Sequence, residues 1–179
     1  DDPPLSALGF QQARETGIFL DSILAAEGIS VDNITWLSSP FLRCLQTSNA
    51  AIDSFRTIEG ANNIKILPEH SVWEWDGHEG KFHESLPSLK ERTHYFPRLD
   101  INYEDLFVPE LPEPRAHFHN RCKRVVQAIG QRHRFRAGTA IIIVTHAAGC
   151  IGMSAAAATT TVSDITPAGP CSVFGLTRT

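Results

Sequence analysis

The hydrophobic pattern of the chain changes period several times, and each change marks an element. Phe10, Ala13, Gly17, Leu20 and Leu24 recur at alternating spacings of three and four, one face of an amphipathic helix. Ser6 is placed to cap that helix and Gly28 to end it. A short run from Ile34 to Leu37 predicts a strand. Leu42, Leu45, Ile52 and Phe55 then return to helical spacing behind Ser38-Ser39-Pro40, with Ser39 suited to the N-cap and Pro40 to the first helical position. Asn62-Asn63 predicts a turn before a second strand over 64–67. Residues 69–80, EHSVWEWDGHEG, keep no period and set two tryptophans among carboxylates, which predicts a loop. Residues 81–114 are rich in proline and charge. They predict an excursion from the core that shapes access to a site, with a short helix over 86–92 and loops at Pro97, Pro109, Pro112 and Pro114. A long helix follows from Pro114 toward Phe135, with Phe118, Cys122, Val125, Val126 and Ile129 inward and Arg121, Lys123, Arg124 and Arg132 outward. The unbroken β-branched run Ile141 to Val144, within AIIIVTHAAGC, predicts a strand buried on both faces. Small residues from Met153 to Ala158 continue as a helix, Pro167 to Pro170 breaks the chain, and 172–176 reads as a last strand. This alternation predicts one three-layer α/β/α domain with a mostly parallel sheet.

Chemistry concentrates where such a sheet binds ligands, at the carboxyl ends of its strands. His146 ends the 140–144 run, and Ala147, Ala148 and Gly149 after it allow a ligand close to the backbone. For a lone histidine, a structural hydrogen bond at the strand end is the plainer reading. Arg43 falls in the first turn of the second helix, where a cation costs about 0.3 to 1 kcal/mol against the helix dipole. An anion held by the helix N–H groups and the guanidinium fork would offset that cost; a solvated arginine is the plain alternative. Glu74 lies between Trp73 and Trp75. Desolvation by two indoles raises a carboxyl pKa and makes Glu74 a candidate general acid, against a reading in which the indoles only seal the sheet edge. His70, His78, His83 and His94 have neither i, i+4 pairing nor cysteine companions, so surface histidines and no metal site are expected.

Composition narrows the classes further. The 179 residues are 42% hydrophobic, enough for one core, and the net charge of −4 comes without any Lys/Arg block, which argues against nucleic acid or an acidic membrane as partner. Cys44, Cys122, Cys150 and Cys171 show no C-x-x-C spacing and are expected as reduced thiols in a cytoplasmic or nuclear protein. No apolar run reaches 18 residues, and nothing calls for a cofactor.

The succession DPPLSALGFQQA, SSPFLRCLQT, a Glu-Trp loop and IVTHA resembles the histidine phosphatase superfamily, or phosphoglycerate mutase-like proteins, over nearly the whole chain. The QT-type helix and Glu-Trp loop look closest to eukaryotic phosphatases of the ubiquitin-associated and SH3-containing type. The resemblance implies a phosphomonoester hydrolase in which a histidine attacks phosphorus, a carboxylic acid protonates the leaving oxygen and water releases phosphate. Arg43 would then clamp phosphate, His146 would be the second histidine beside Ala147, and Glu74 the proton donor, with Glu69 and Glu79 as lesser alternatives. The implied substrate is a phosphorylated small molecule or phosphoprotein. One departure matters: the family's nucleophile lies in an R-H-G motif ending the first strand, and no R-H-G occurs in these 179 residues. The resemblance places that strand upstream of Asp1, leaving the present chain inactive alone. A non-catalytic phosphate-binding or protein-interaction module on the same fold is the competing expectation.

Overall fold

The computed structural model describes residues 2–77, 86–133 and 136–177. Helix α1 (Ala7–Ala26) starts at Ser6, whose hydroxyl accepts the Gly9 N–H, and Gly28 follows its end with a positive φ of 68°, as the sequence predicts. Next come β1 (Ile34–Ser38), α2 (Leu42–Ile52), β2 (Ile66–Pro68), the short α3 (Leu89–Arg92), α4 (Arg115–Arg132), β3 (Ala140–Val144) and α5 (Ala147–Ala157). The strands pair in the order β2-β1-β3, all parallel.

Register explains why the two sheet faces carry different cores. Ile34, Trp36 and Ser38 lie opposite Ala140, Ile142 and Val144, while Thr35 and Leu37 lie opposite Ile141 and Ile143. The first set faces α1 and α2, joining Leu24, Leu45, Ala51, Ile52 and Ile66; the second faces α4 and α5, joining Phe118, Cys122, Val125, Ile129 and Met153. Helices therefore cover both faces, giving a three-layer α/β/α architecture. Small residues set how closely the helices approach. A Cβ on Gly17 would lie 2.2 Å from the Ala51 carbonyl oxygen, and one on Gly152 would lie 2.7 Å from Cys122 Sγ. These glycines let α1 close onto α2 and α5 onto α4.

Several expectations need correction. β3 is half-buried along its whole length rather than enclosed, because among the described residues it pairs only with β1. Residues 172–176 form no strand, and Val173 and Leu176 stay exposed; period alone makes no strand without a partner for the backbone. Within the 81–114 excursion, part of the described stretch 86–114 joins the core. Ser88 and Glu91 form a capping box at α3, Leu99 bridges to Ile66, and Phe96 and Leu99 are buried in the α1–α2 core. Of the four histidines, His94 is exposed. His70 is half-buried against Asp105, Nδ1 to Oδ1 at 2.8 Å, and His78 and His83 lie outside the described residues. All four cysteines are free, with Cys44 and Cys122 in the core and Cys150 and Cys171 only partly covered. No described helix is long and apolar enough to cross a membrane.

Candidate functional site

The chain passes from β1 to β2 on one side and returns to β3 on the other, so β1 and β3 end side by side at a topological switch point. The Ser39 N–H donates to the Val144 carbonyl at 2.8 Å, which sets the residues after each strand face to face. Ser39 Oγ consequently lies 2.9 Å from His146 Nε2, and both residues are buried. Ser39 is not the cap of α2. That helix begins at Leu42 behind Phe41, which makes no side-chain cap, and the Leu42 N–H donates to both Asp2 carboxylate oxygens, at 2.8 and 3.1 Å. Buried Arg92 pairs with the same carboxylate. The anion expected near the start of α2 is thus supplied by the chain itself, offsetting the cation of Arg43.

Arg43, in the second helical position, reaches His146: Nη2 lies 2.9 Å from Nδ1 and 3.3 Å from Glu74 Oε2. Glu74 Oε2 is also 3.2 Å from Nδ1. Phe41 backs the cluster, with the Arg43 guanidinium carbon 4.6 Å from its ring centroid and the imidazole edge-on at 5.1 Å. Nδ1 cannot accept from Arg43 and donate to Glu74 at once. Burial is the dominant influence on His146 and outweighs the opposing Glu74 carboxylate; the Arg43 and Arg121 charges add to burial, holding the pKa below its ordinary 6.5. The ring is neutral at pH 7. Nδ1 then accepts from Arg43, Nε2–H donates to Ser39, and Arg43 bridges to Glu74.

Glu74 behaves opposite to the sequence expectation. Burial raises its pKa, but its contacts with the His146 ring, the Trp75 N–H and the Arg43 guanidinium together outweigh burial and hold it below the ordinary value. The indoles do not enclose it, since its side chain is 31% exposed. Trp75 turns away, stacks on Phe118 at 5.6 Å and donates from Nε1 to the Glu113 carbonyl at 2.9 Å. Trp73 meets the His70 ring at 4.9 Å. Glu69, a lesser alternative, is fully buried and structural: its carboxylate accepts from Ser71 N–H, Tyr103 O–H and Leu106 N–H at 2.7 to 2.9 Å. Glu79 lies outside the described residues. Ala147 is exposed at the start of α5, behind His146 as its N-cap.

Sequence reasoning missed four neighbours of this cluster. Phe41 and Ser39 touch His146 directly. Cys44 Sγ lies 3.7 Å from Nε2, a spacing suggestive of a Cys–His nucleophile, yet burial pushes its thiol up to about 12, so no thiolate is available. Arg121 is the fourth, expected from the sequence on the outward face of its helix. It is buried, holding Glu113 through Nε at 3.0 Å and Nη2 at 2.8 Å. Helical spacing could have found it, three residues after Phe118 and four before Val125, on the stripe that faces inward.

The model of the histidine phosphatase superfamily (branch 1) matches residues 1–176. The ubiquitin-associated and SH3 domain-containing protein A of Homo sapiens is 30% identical over 132 residues, covering 73% of this chain and 19% of that protein. Its Mus musculus counterpart is 29% identical over 137 residues, covering 73% and 20%. The chain thus spans about a fifth of the length of these relatives. Among solved structures, the ecdysone phosphate phosphatase of Bombix mori, in complex with tungstate, superimposes with a TM-score of 0.70 over 99% of this chain and 65% of that one. At 23% identity that likeness speaks to the fold, which is phosphoglycerate mutase-like. With the matched residues running through both strand ends that form the site, the chain belongs to the histidine phosphatase superfamily, branch 1.

Proposed function

We propose that this chain carries the phosphate clamp and proton donor of a phosphomonoester hydrolase that works through a phosphohistidine. The observation behind this reading is the meeting of Arg43, His146 and Glu74 within 3.3 Å of one another at the carboxyl edge of the sheet. A guanidinium fork and an imidazole hold equatorial phosphoryl oxygens where transition-state charge gathers, and a carboxyl group serves the leaving oxygen. A phosphate dianion entering here draws Arg43 from Glu74 and raises the pKa of both acidic partners, since nearby negative charge disfavours a carboxylate and favours imidazolium. His146 then donates from Nδ1, Glu74 carries a proton, and the exposed Ala147 N–H adds a donor at the start of α5.

The nucleophile belongs, on this reading, to an R-H-G strand upstream of Asp1. Its histidine attacks phosphorus as the ester P–O bond breaks, and the leaving oxygen takes the Glu74 proton. Water then attacks the phosphohistidine, giving its proton to the Glu74 carboxylate, and phosphate departs. The substrate is a phosphorylated small molecule or phosphoprotein, and the free, largely covered cysteines fit a cytoplasmic or nuclear setting. The test is a phosphate-release screen of the full-length protein against alkyl and aryl phosphates. Turnover supports the hydrolase. Tungstate binding without turnover on any ester would overturn it in favour of a non-catalytic phosphate-binding module.

A further inference from the structure

A general acid that stands on a loop acts only if the loop is held, and residues 71–76 are held from two sides. Arg121 Nη1 donates to the Ser71 and Trp73 carbonyls at 2.9 and 3.0 Å. Between them, the Val72 carbonyl accepts from Thr145 Oγ1 at 2.7 Å, the residue just before His146. Three consecutive carbonyls leading to Glu74 are therefore pinned, two by α4 and one by the end of β3. Beyond Glu74 the loop is fixed to Glu113, whose carbonyl accepts from Trp75 Nε1 and whose N–H donates to the Asp76 carbonyl at 2.9 Å. The Glu113 carboxylate grips Arg121 through both oxygens, and the two side chains are only 5% exposed. A fork is needed for this arrangement: five N–H donors in one plane serve a carboxylate and two carbonyls together, which a lysine ammonium cannot reproduce.

We propose that Arg121, locked by Glu113, is the positioning residue for Glu74, setting its carboxylate against Arg43 and His146. The inference rests on the reading of Glu74 as proton donor, but its primary test does not require turnover. His146 faces Glu74, Arg43 and Cys44, and Glu74 is the neighbour that raises its pKa, whereas Arg121 lowers it by charge. Loss of positioning therefore shifts the His146 titration down, while mere loss of the Arg121 charge shifts it up. Arg121→Lys keeps the charge and removes the fork. The pair Arg121→Met with Glu113→Gln removes both buried charges together, avoiding an uncompensated carboxylate.

The measurement is an NMR titration of the His146 ring in the wild type, Glu74→Gln, Arg121→Lys and the neutral pair, with thermal melts as folding controls. The expected result is a downward shift in Arg121→Lys and in the neutral pair toward the Glu74→Gln value, with no further change when Glu74→Gln is added. A His146 titration unchanged from wild type in both, with the Glu74→Gln effect fully retained on top, would overturn the proposal. In the full-length protein, Arg121→Lys should lower turnover of poor leaving groups selectively, as Glu74→Gln does; equal loss on activated aryl phosphates would also count against it. Absence of any turnover in the wild type would defeat the hydrolase reading, leaving the titration to decide this one.

Discussion

At the scale of single residues, Arg43 and Glu74 make separable predictions. Arg43 offers two parallel donors to an anion, and a hydrogen bond to a charged group is worth about 1.5 to 3 kcal/mol. Arg43→Ala should weaken tungstate binding by roughly ten- to a hundredfold and Arg43→Lys by less, since a point charge survives. Calorimetry decides, and unchanged affinity in Arg43→Ala would remove it from the site. Glu74→Gln should depress turnover of poor leaving groups by about 10² to 10⁴ in the full-length protein while sparing activated aryl phosphates. A uniform loss would assign Glu74 a folding role. Part of this site was legible because strand ends and helix starts fix positions whatever the partners, so Arg43, Glu74 and His146 emerge from spacing and motif. What could not be read was charge balance. Glu74 sits between tryptophans in sequence, yet the upward push of burial on its pKa is outweighed by contacts that include His146 and Arg43, which are distant in sequence and adjacent only in the fold.

At the scale of elements, the connections between helices carry the most testable chemistry. Asp21, on α1 and buried, accepts the backbone N–H groups of Arg56, Thr57 and Ile58 at 2.7 to 3.0 Å. Burial alone would raise its pKa, but these donors outweigh burial and hold it low. Asp21→Ala leaves three donors unsatisfied beneath α1, at about 1 to 3 kcal/mol for each that water cannot reach. A loss of at least 2 kcal/mol in urea unfolding is expected, and a neutral result would mean that the turn finds other acceptors. Gly17→Val should separate α1 from α2, because its Cβ position already lies 2.2 Å from backbone oxygen; overpacking of this kind costs about 1 to 3 kcal/mol. Such close approach was invisible in the sequence, where Gly17 only kept the helical period. Arg121 illustrates the converse. Its place on the stripe pointed inward while its charge suggested solvent, and position prevailed because Glu113 and two loop carbonyls satisfy the guanidinium.

At the scale of the whole molecule, acid should weaken the fold in two successive steps. His146 has its pKa lowered in the folded state, so below about 6.5 the unfolded chain binds more protons and stability falls with pH. Glu74 and Asp21 have lowered carboxyl pKa values; their contributions hold above about 4.5 and drain away as pH drops through the folded values. Urea unfolding at pH 7, 5.5 and 4 should give a steady decline, with the first step reduced but not abolished in His146→Asn, because burial and the Arg132 charge lower the His133 pKa as well. Catalysis is also a property of the whole molecule. The described residues bring Arg43, Glu74 and His146 together, but both His146 nitrogens are engaged by Ser39 and Arg43, and the proposed mechanism takes its nucleophile from an R-H-G histidine that this sequence does not contain. Binding a phosphate ester without a nucleophile lowers no chemical barrier, however tight the clamp. Residues 1–179 alone should therefore bind tungstate yet turn over an aryl phosphate no faster than background, with activity appearing when the proposed upstream R-H-G strand is included. Steady-state assay of the two proteins side by side decides the matter: comparable turnover would sink the phosphohistidine mechanism and return the search for a nucleophile to the histidines of this chain.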